Sequence, residues 1–149
     1  MYVADFNLVL VSGVATRNAS LRQRRSGIAK AEFSLEVDRP FTRASGAPVS
    51  DLFLVDVYGP LAEWCAEEVT EGTRLLLVGT LNKESYVTRH ERREHMIVIK
   101  CKYLRVVDSR EIDFGDLPLD ELRQDDWEDT IVCEYLALLT DMVDPINRR

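Results

Sequence analysis

Five apolar runs of strand length, with a single helical segment between the third and fourth, constrain this chain more than any other feature. NLVLVSGVA (7–15) is short and rich in β-branched residues, and AKAEFSLEV (29–37) alternates strictly, with Ala29, Ala31, Phe33, Leu35 and Val37 on one face. LFLVDVYG (52–59) and RLLLVGTL (74–81) follow. MIVIKCKYLRVV (96–107) closes the series, with Ile97, Ile99, Cys101 and Tyr103 facing one way and Val98, Lys100 and Lys102 the other. After the third run, Gly59-Pro60 breaks the strand and puts a proline where a helix begins. Leu61, Ala62, Trp64, Cys65 and Val69 then form an apolar stripe that Gly72 is expected to stop.

That order of elements is expected to close into an all-β, five-stranded OB barrel, with one helix between strands three and four. A chain of 149 residues, 46% of them hydrophobic, has the size of one ordinary domain with a tail. The expected division is a barrel over residues 1–108 and an acidic segment over 109–149. No apolar run reaches the roughly 18 residues that span a bilayer, and MYVADFNLVLVSG lacks a basic leader, so a cytoplasmic protein without membrane contact is expected. Cys65, Cys101 and Cys133 are odd in number and widely spaced, which predicts reduced buried thiols.

Net charge is −7, but it is unevenly placed. Residues 1–110 carry 16 Lys and Arg against 14 Asp and Glu, whereas residues 111–149 carry 3 against 12. A mildly basic body with an acidic tail suggests a polyanionic partner, although solvated surface charge produces the same asymmetry. The stretch TRHERREH (88–95) superficially suggests zinc. On a helix, however, His90 and His95 would lie about 140° apart at roughly 100° per residue, so one ion could not take both rings. The stretch is better read as a charged hairpin tip between the fourth and fifth strands, and no metal or other cofactor is expected.

The series NLVLVSGVATRNASLRQRRSGIAKAEFSLEVDRPFT, continued by DLFLVDVYGPLAEWCAEEVTEGTRLLLVGTLNKESY, resembles the bacterial-type single-stranded DNA-binding proteins over roughly residues 5–107. That resemblance implies sequence-independent binding of single strands in replication, recombination or repair, by a homo-oligomer (dimer or tetramer) without catalysis. Non-specific binding of this kind needs π-faces on which bases stack and cations that follow the phosphates. Carried over by position, the family's stacking aromatics fall on Phe41, Tyr58 and Tyr86, and a fourth is Leu52 here. Phe41 is expected in a turn, RPFTRASG, between Arg39 and Arg43, while Phe33 is assigned to the core. The expected cations are Arg17, Arg22, Arg24 and Arg25 in the first turn, Arg39 and Arg43 beside Phe41, Arg89, Arg92 and Arg93 on the distal hairpin, and Lys100 and Lys102 on its return strand.

Departures from the family pattern open a second reading. Asp56 stands where an apolar residue is usual, and Glu71 and Glu84 where a basic one is common. These acids suit an adaptor on the same fold, a subunit of a replication, recombination or mobile-element complex with little DNA affinity. The family's tail usually ends in an acidic tip that recruits replication and repair proteins, whereas this sequence ends DPINRR. IDFGDLPLDEL (112–122) is a candidate displaced tip, and an amphipathic helix is expected over 126–143, with Trp127, Ile131, Tyr135, Leu138 and Met142 on its stripe.

Overall fold

Alternating apolar residues become strands here because each strand hides one face in a shared interior. A computed structural model describes residue 5 and residues 7–111. The strands are β1 (Val9–Ala15), β2 (Ser20–Gln23), β3 (Ala29–Thr42), β4 (Pro48–Tyr58), β5 (Arg74–Val87) and β6 (Arg93–Val106), with helix α1 (Pro60–Glu68) between β4 and β5. They form one sheet in the order β1-β5-β6-β4-β3-β2, and β1 returns to pair with β3, which closes the barrel. Among these pairings β4 and β6 run parallel, and the others are antiparallel. The closed sheet, with its helix after the third long strand, is an OB barrel.

The expected five strands are β1, β3, β4, β5 and β6. The short β2 is an addition, too brief and too exposed to show a period in the sequence. The core contains Phe33, Leu35, Val55, Val57, Leu75, Leu77 and Ile99. The side chains of Ala62, Cys65 and Val69 close it from the helical side, and all three are fully buried. Trp64, expected on the same stripe, is 38% exposed and lies at its margin. The helix stops at Glu68, before Gly72, because Val69 is already extended; its N–H still donates to the Cys65 carbonyl. Gly59, at φ 74° and ψ −150°, makes the sharp exit from β4 that a side chain would oppose.

Two hairpins run further than apolar alternation predicts. β3 continues to Thr42 and β4 begins at Pro48, so Phe41 lies on a strand end and not in the turn expected for it. β5 continues to Val87 and β6 begins at Arg93, so Arg93 is a strand residue and the turn of the β5–β6 hairpin is only Thr88–Arg92. Cross-strand polar pairs hold both extensions, Arg39 with Asp51 and Tyr86 with Glu94. Ile97 keeps its expected parity but is 59% exposed, since it lies on the extension.

The pairing of β5 with β6 skips Lys102: Val78 faces Tyr103, while Gly79 faces Cys101. The bulge reverses the parity beyond it, so Leu104 and not Tyr103 follows Cys101 into the core. At the same place a Cβ on Gly79 would lie 2.2 Å from the Lys100 carbonyl oxygen. Gly79→Ala is therefore expected to force β5 away from β6 and lower the unfolding free energy by about 1–3 kcal/mol, as overpacking does. Urea denaturation checks this, and a variant as stable as the parent would refute the close approach.

Candidate nucleic-acid interface

The register places side chains on the outer face of β3, β4, β6 and β5 in crossing rows. Lys30 is opposite Tyr58, Glu32 opposite Asp56, Ser34 opposite Leu54 and Glu36 opposite Leu52. Across the parallel seam Leu54 meets Val98 and Asp56 meets Lys100; on the next strand Glu84 pairs with Met96 and Tyr86 with Glu94. An open groove of about 570 Å³ runs over this face, lined among others by Arg17, Arg24, Lys30, Tyr58, Glu84 and Lys100. In the OB fold this is the sheet face that receives oligonucleotides.

Its centre is an ion-pair network. Asp56 is only 8% exposed, and its Oδ2 accepts from Lys100 Nζ at 3.1 Å while Lys30 Nζ lies at 3.5 Å. Lys100 Nζ also reaches Glu84 Oε1 at 2.7 Å and donates to the Tyr58 hydroxyl at 3.0 Å. Lys30 completes the set with Glu32 at 2.9 Å. A carboxylate as buried as Asp56 is tolerable only with such partners. Three cations also ring the Tyr58 face: Lys100 at 5.0 Å, Arg24 at 5.4 Å and Lys30 at 5.8 Å from the ring centre.

These contacts set the protonation of the groove. Partial burial pulls Lys100 down, but Glu84, Tyr58 and Asp56 together outweigh it and leave the ammonium above its ordinary value. Lys30 is likewise raised, desolvation being outweighed by Glu32, Asp56 and Tyr58. Glu84 is held low by the hydrogen bond from Lys100, and Glu32 by that from Lys30. Elsewhere, burial pushes the Cys65 thiol up to about 12, which makes it an unreactive core residue.

The sequence-selected residues separate into groups. Arg17, Arg24, Tyr58 and Lys100 come together in the groove, and Arg22 lies 4.0 Å from Glu32 at its margin. Arg25 occupies the exposed turn after β2. Phe41 is 55% exposed, with the Arg39 guanidinium 6.0 Å from its ring and Arg39 itself held by Asp51 through two contacts of 2.8 Å. Arg43 sits in the turn that follows, where its N–H donates to the Ala47 carbonyl. Tyr86 is 40% exposed and donates to Glu94 Oε2 at 2.8 Å. Arg89 and Arg92 lie in the distal turn with His90, where Glu91 adopts a left-handed φ of 59°; Arg93 opens β6, and Lys102 is half-buried at the bulge. Glu71 lies after α1, its N–H donating to Asn18 Oδ1 at 2.9 Å. Sequence reading did not select Lys30, Glu32, Leu54, Met96 or Val98. The alternation of β3 signals the first two, because it puts Lys30 and Glu32 opposite the core face. Val98 shares the face of Lys100, as expected, yet is buried beside Leu54.

A carboxylate whose folded pKa is depressed contributes stability above its unfolded value and loses it as pH falls through the folded value. For Glu32 and Glu84 that loss begins below about pH 4.5, their ordinary value. Lysines with raised pKa contribute fully below about 10.5 and lose their contribution only at higher pH. The groove is therefore most stable between these limits. Lys100→Met is expected to cost about 1–3 kcal/mol at pH 7, the worth of hydrogen bonds to charged groups. It should also flatten the decline below pH 4.5 by removing the partner of Glu84. Denaturation curves from pH 3 to pH 7 check both; an unchanged stability at pH 7 would show that the pairs contribute nothing net.

Comparison with known proteins agrees with this arrangement. Residues 6–107 match the description "Single-strand binding protein family". A single-stranded DNA-binding protein of Enterococcus faecalis is 32% identical over 104 residues, covering 70% of this chain and 55% of the relative. One from Fusobacterium nucleatum is 33% identical over 95 residues, 62% of each chain, and one from Streptococcus pneumoniae is 29% identical over 109 residues, 73% of this chain and 69% of the relative. The chain thus spans between 55% and 62% of the first two relatives. Barrel order, helix position and a match over most of its length agree, and the chain belongs to the single-strand binding protein family.

Proposed function

We propose that the chain binds single-stranded DNA without regard to sequence and performs no catalysis. The match of residues 6–107 to the family carries this reading. Exposed Phe41 and Tyr86 support it, since both lie outside the core and offer π-faces. Unpaired cations support it too: among the described residues no ion pair occupies Arg17, Arg24, Arg25, Arg43, Arg89, Arg92 or Arg93. Phosphates are better served by these arginines than by Lys100, whose ammonium is already shared between two carboxylates and a phenol. Tyr58 would exchange its cation contacts for a base.

The DNA-binding role is assigned to residues 1–108, and recruitment of replication, recombination or repair proteins to the acidic residues 109–149, whose candidate tip (112–122) and helix (126–143) lie outside the described residues. The protein is taken to act in the cytoplasm as a homo-oligomer, a dimer or tetramer. No helix among the described residues is long and apolar enough to cross a membrane. One observation favours the adaptor as second reading: Glu32, Glu36, Asp56, Glu84 and Glu94 share the face where bases would lie.

Titration of labelled oligo-dT at two salt concentrations separates the readings. Affinity that falls steeply with salt supports DNA binding, and no binding at low salt supports the adaptor. Phe41→Ala and Tyr86→Ala should each cost about 1–3 kcal/mol of binding free energy and leave thermal unfolding nearly unchanged. Normal binding by both variants would remove them from the interface.

A further inference from the structure

Along β3 and β4 the outer face leads from the groove toward the hairpin end that carries Phe41. Ser34 opposite Leu54 is the last row at the groove, with Ser34 buried and Leu54 half-buried. The next row outward is Glu36 opposite Leu52, both exposed, Leu52 at 64%. Facing side chains of such a pair start about 5 Å apart. A single strand with one base on Tyr58 and another on Phe41 passes over this row, which lies about 20 Å from Tyr58 at roughly 3.4 Å per residue. Leu52 gives a base an apolar rest without a π-face. What distinguishes one base from another there is the edge turned to Glu36.

Glu36 differs from its acidic neighbours in being unanswered. Glu32 and Glu84 each hold a lysine, Asp56 lies against two, and Glu94 accepts from the Tyr86 hydroxyl. The Glu36 carboxylate has neither ion pair nor hydrogen bond among the described residues. Such a group repels phosphate and keeps its whole acceptor capacity for a neutral donor. An ionised carboxylate accepts and cannot donate. The cytosine N4 amino group suits it, as do the amino groups of adenine and guanine, whereas thymine presents its O4 carbonyl in place of the cytosine amino group. We propose that Glu36 is a specificity-determining residue, accepting from the exocyclic amino group of a base that rests on Leu52. Single strands are then graded at this one position, amino-bearing bases above thymine, within binding that otherwise takes any base. The inference rests on the proposed DNA binding and refines it.

The test titrates the full chain and its Glu36→Gln variant with labelled oligo-dC and oligo-dT of equal length, about 16 nucleotides, the upper end of what one OB fold occupies. The quantity read is the ratio of the dC affinity to the dT affinity. In Glu36→Gln it should fall about fivefold, the lower end of what a base-edge contact discriminates, because the amide donates to thymine O4 as readily as it accepts from cytosine. Loss of the charge should strengthen both oligomers in common, and the ratio removes that gain. Glu36→Gln should melt with the parent, since Glu36 is exposed. Leu52→Ser should lower the ratio with Glu36 still in place. Glu63→Gln, which removes an exposed carboxylate from α1, should leave the ratio where it was. The inference is overturned if Glu36→Gln or Leu52→Ser keeps the parent ratio, or if Glu63→Gln shifts it as far, which would make the effect one of bulk charge. A parent protein that binds neither oligomer at low salt would instead remove the DNA-binding reading itself, and this inference with it.

Discussion

The parallel seam between β4 and β6 holds the barrel together. Parallel neighbours cannot be joined by a tight turn, so the chain must leave and return, and here α1 and β5 make that crossing. The crossing puts the helix against the open side of the core and β5 beside both β6 and β1. It also brings Asp56 level with Lys100 from opposite halves of the sequence. Without this pair the seam would carry a buried, uncompensated charge on its outer side. With it, the seam is tied on both faces, by Val55 and Ile99 within the core and by ions without.

Charge on the molecule is accordingly of two kinds. Lys30, Lys100 and Arg39 serve the fold, each against a carboxylate within 3.1 Å. The arginines of the turns have no such obligation and form no ion pair among the described residues. Net charge does not reveal this division, because a paired and a free cation count alike. It explains how a face with five carboxylates belongs to a family of single-strand binders: most of that acidity on the groove floor is answered internally.

The barrel was legible in the sequence because burial enforces a period of two, as in Ala29, Ala31, Phe33 and Leu35, all of which reach the core. Where burial ends the signal ends. The hairpin extensions at Phe41 and Tyr86 rest on polar pairs between distant residues, and neither Arg39 with Asp51 nor Tyr86 with Glu94 leaves a pattern within one strand. The bulge at Lys102 was hidden for the opposite reason, since MIVIKCKYLRVV alternates well enough to conceal a change of parity. Asp56 was visible as an anomaly, but its partner Lys30 was not, because twenty-six residues separate them and only the register of β3 against β4 joins them.

The hairpin extensions have one more consequence. Their strands share hydrogen bonds but no interior, so they open locally at little cost while the barrel remains closed. Mutation there is correspondingly uncoupled from folding. Leu52, 64% exposed, can be exchanged with an aromatic and leave a foldable protein. Surface chemistry can thus drift on the extensions at a rate the core could not survive, which makes them the part of the fold with the most evolutionary slack.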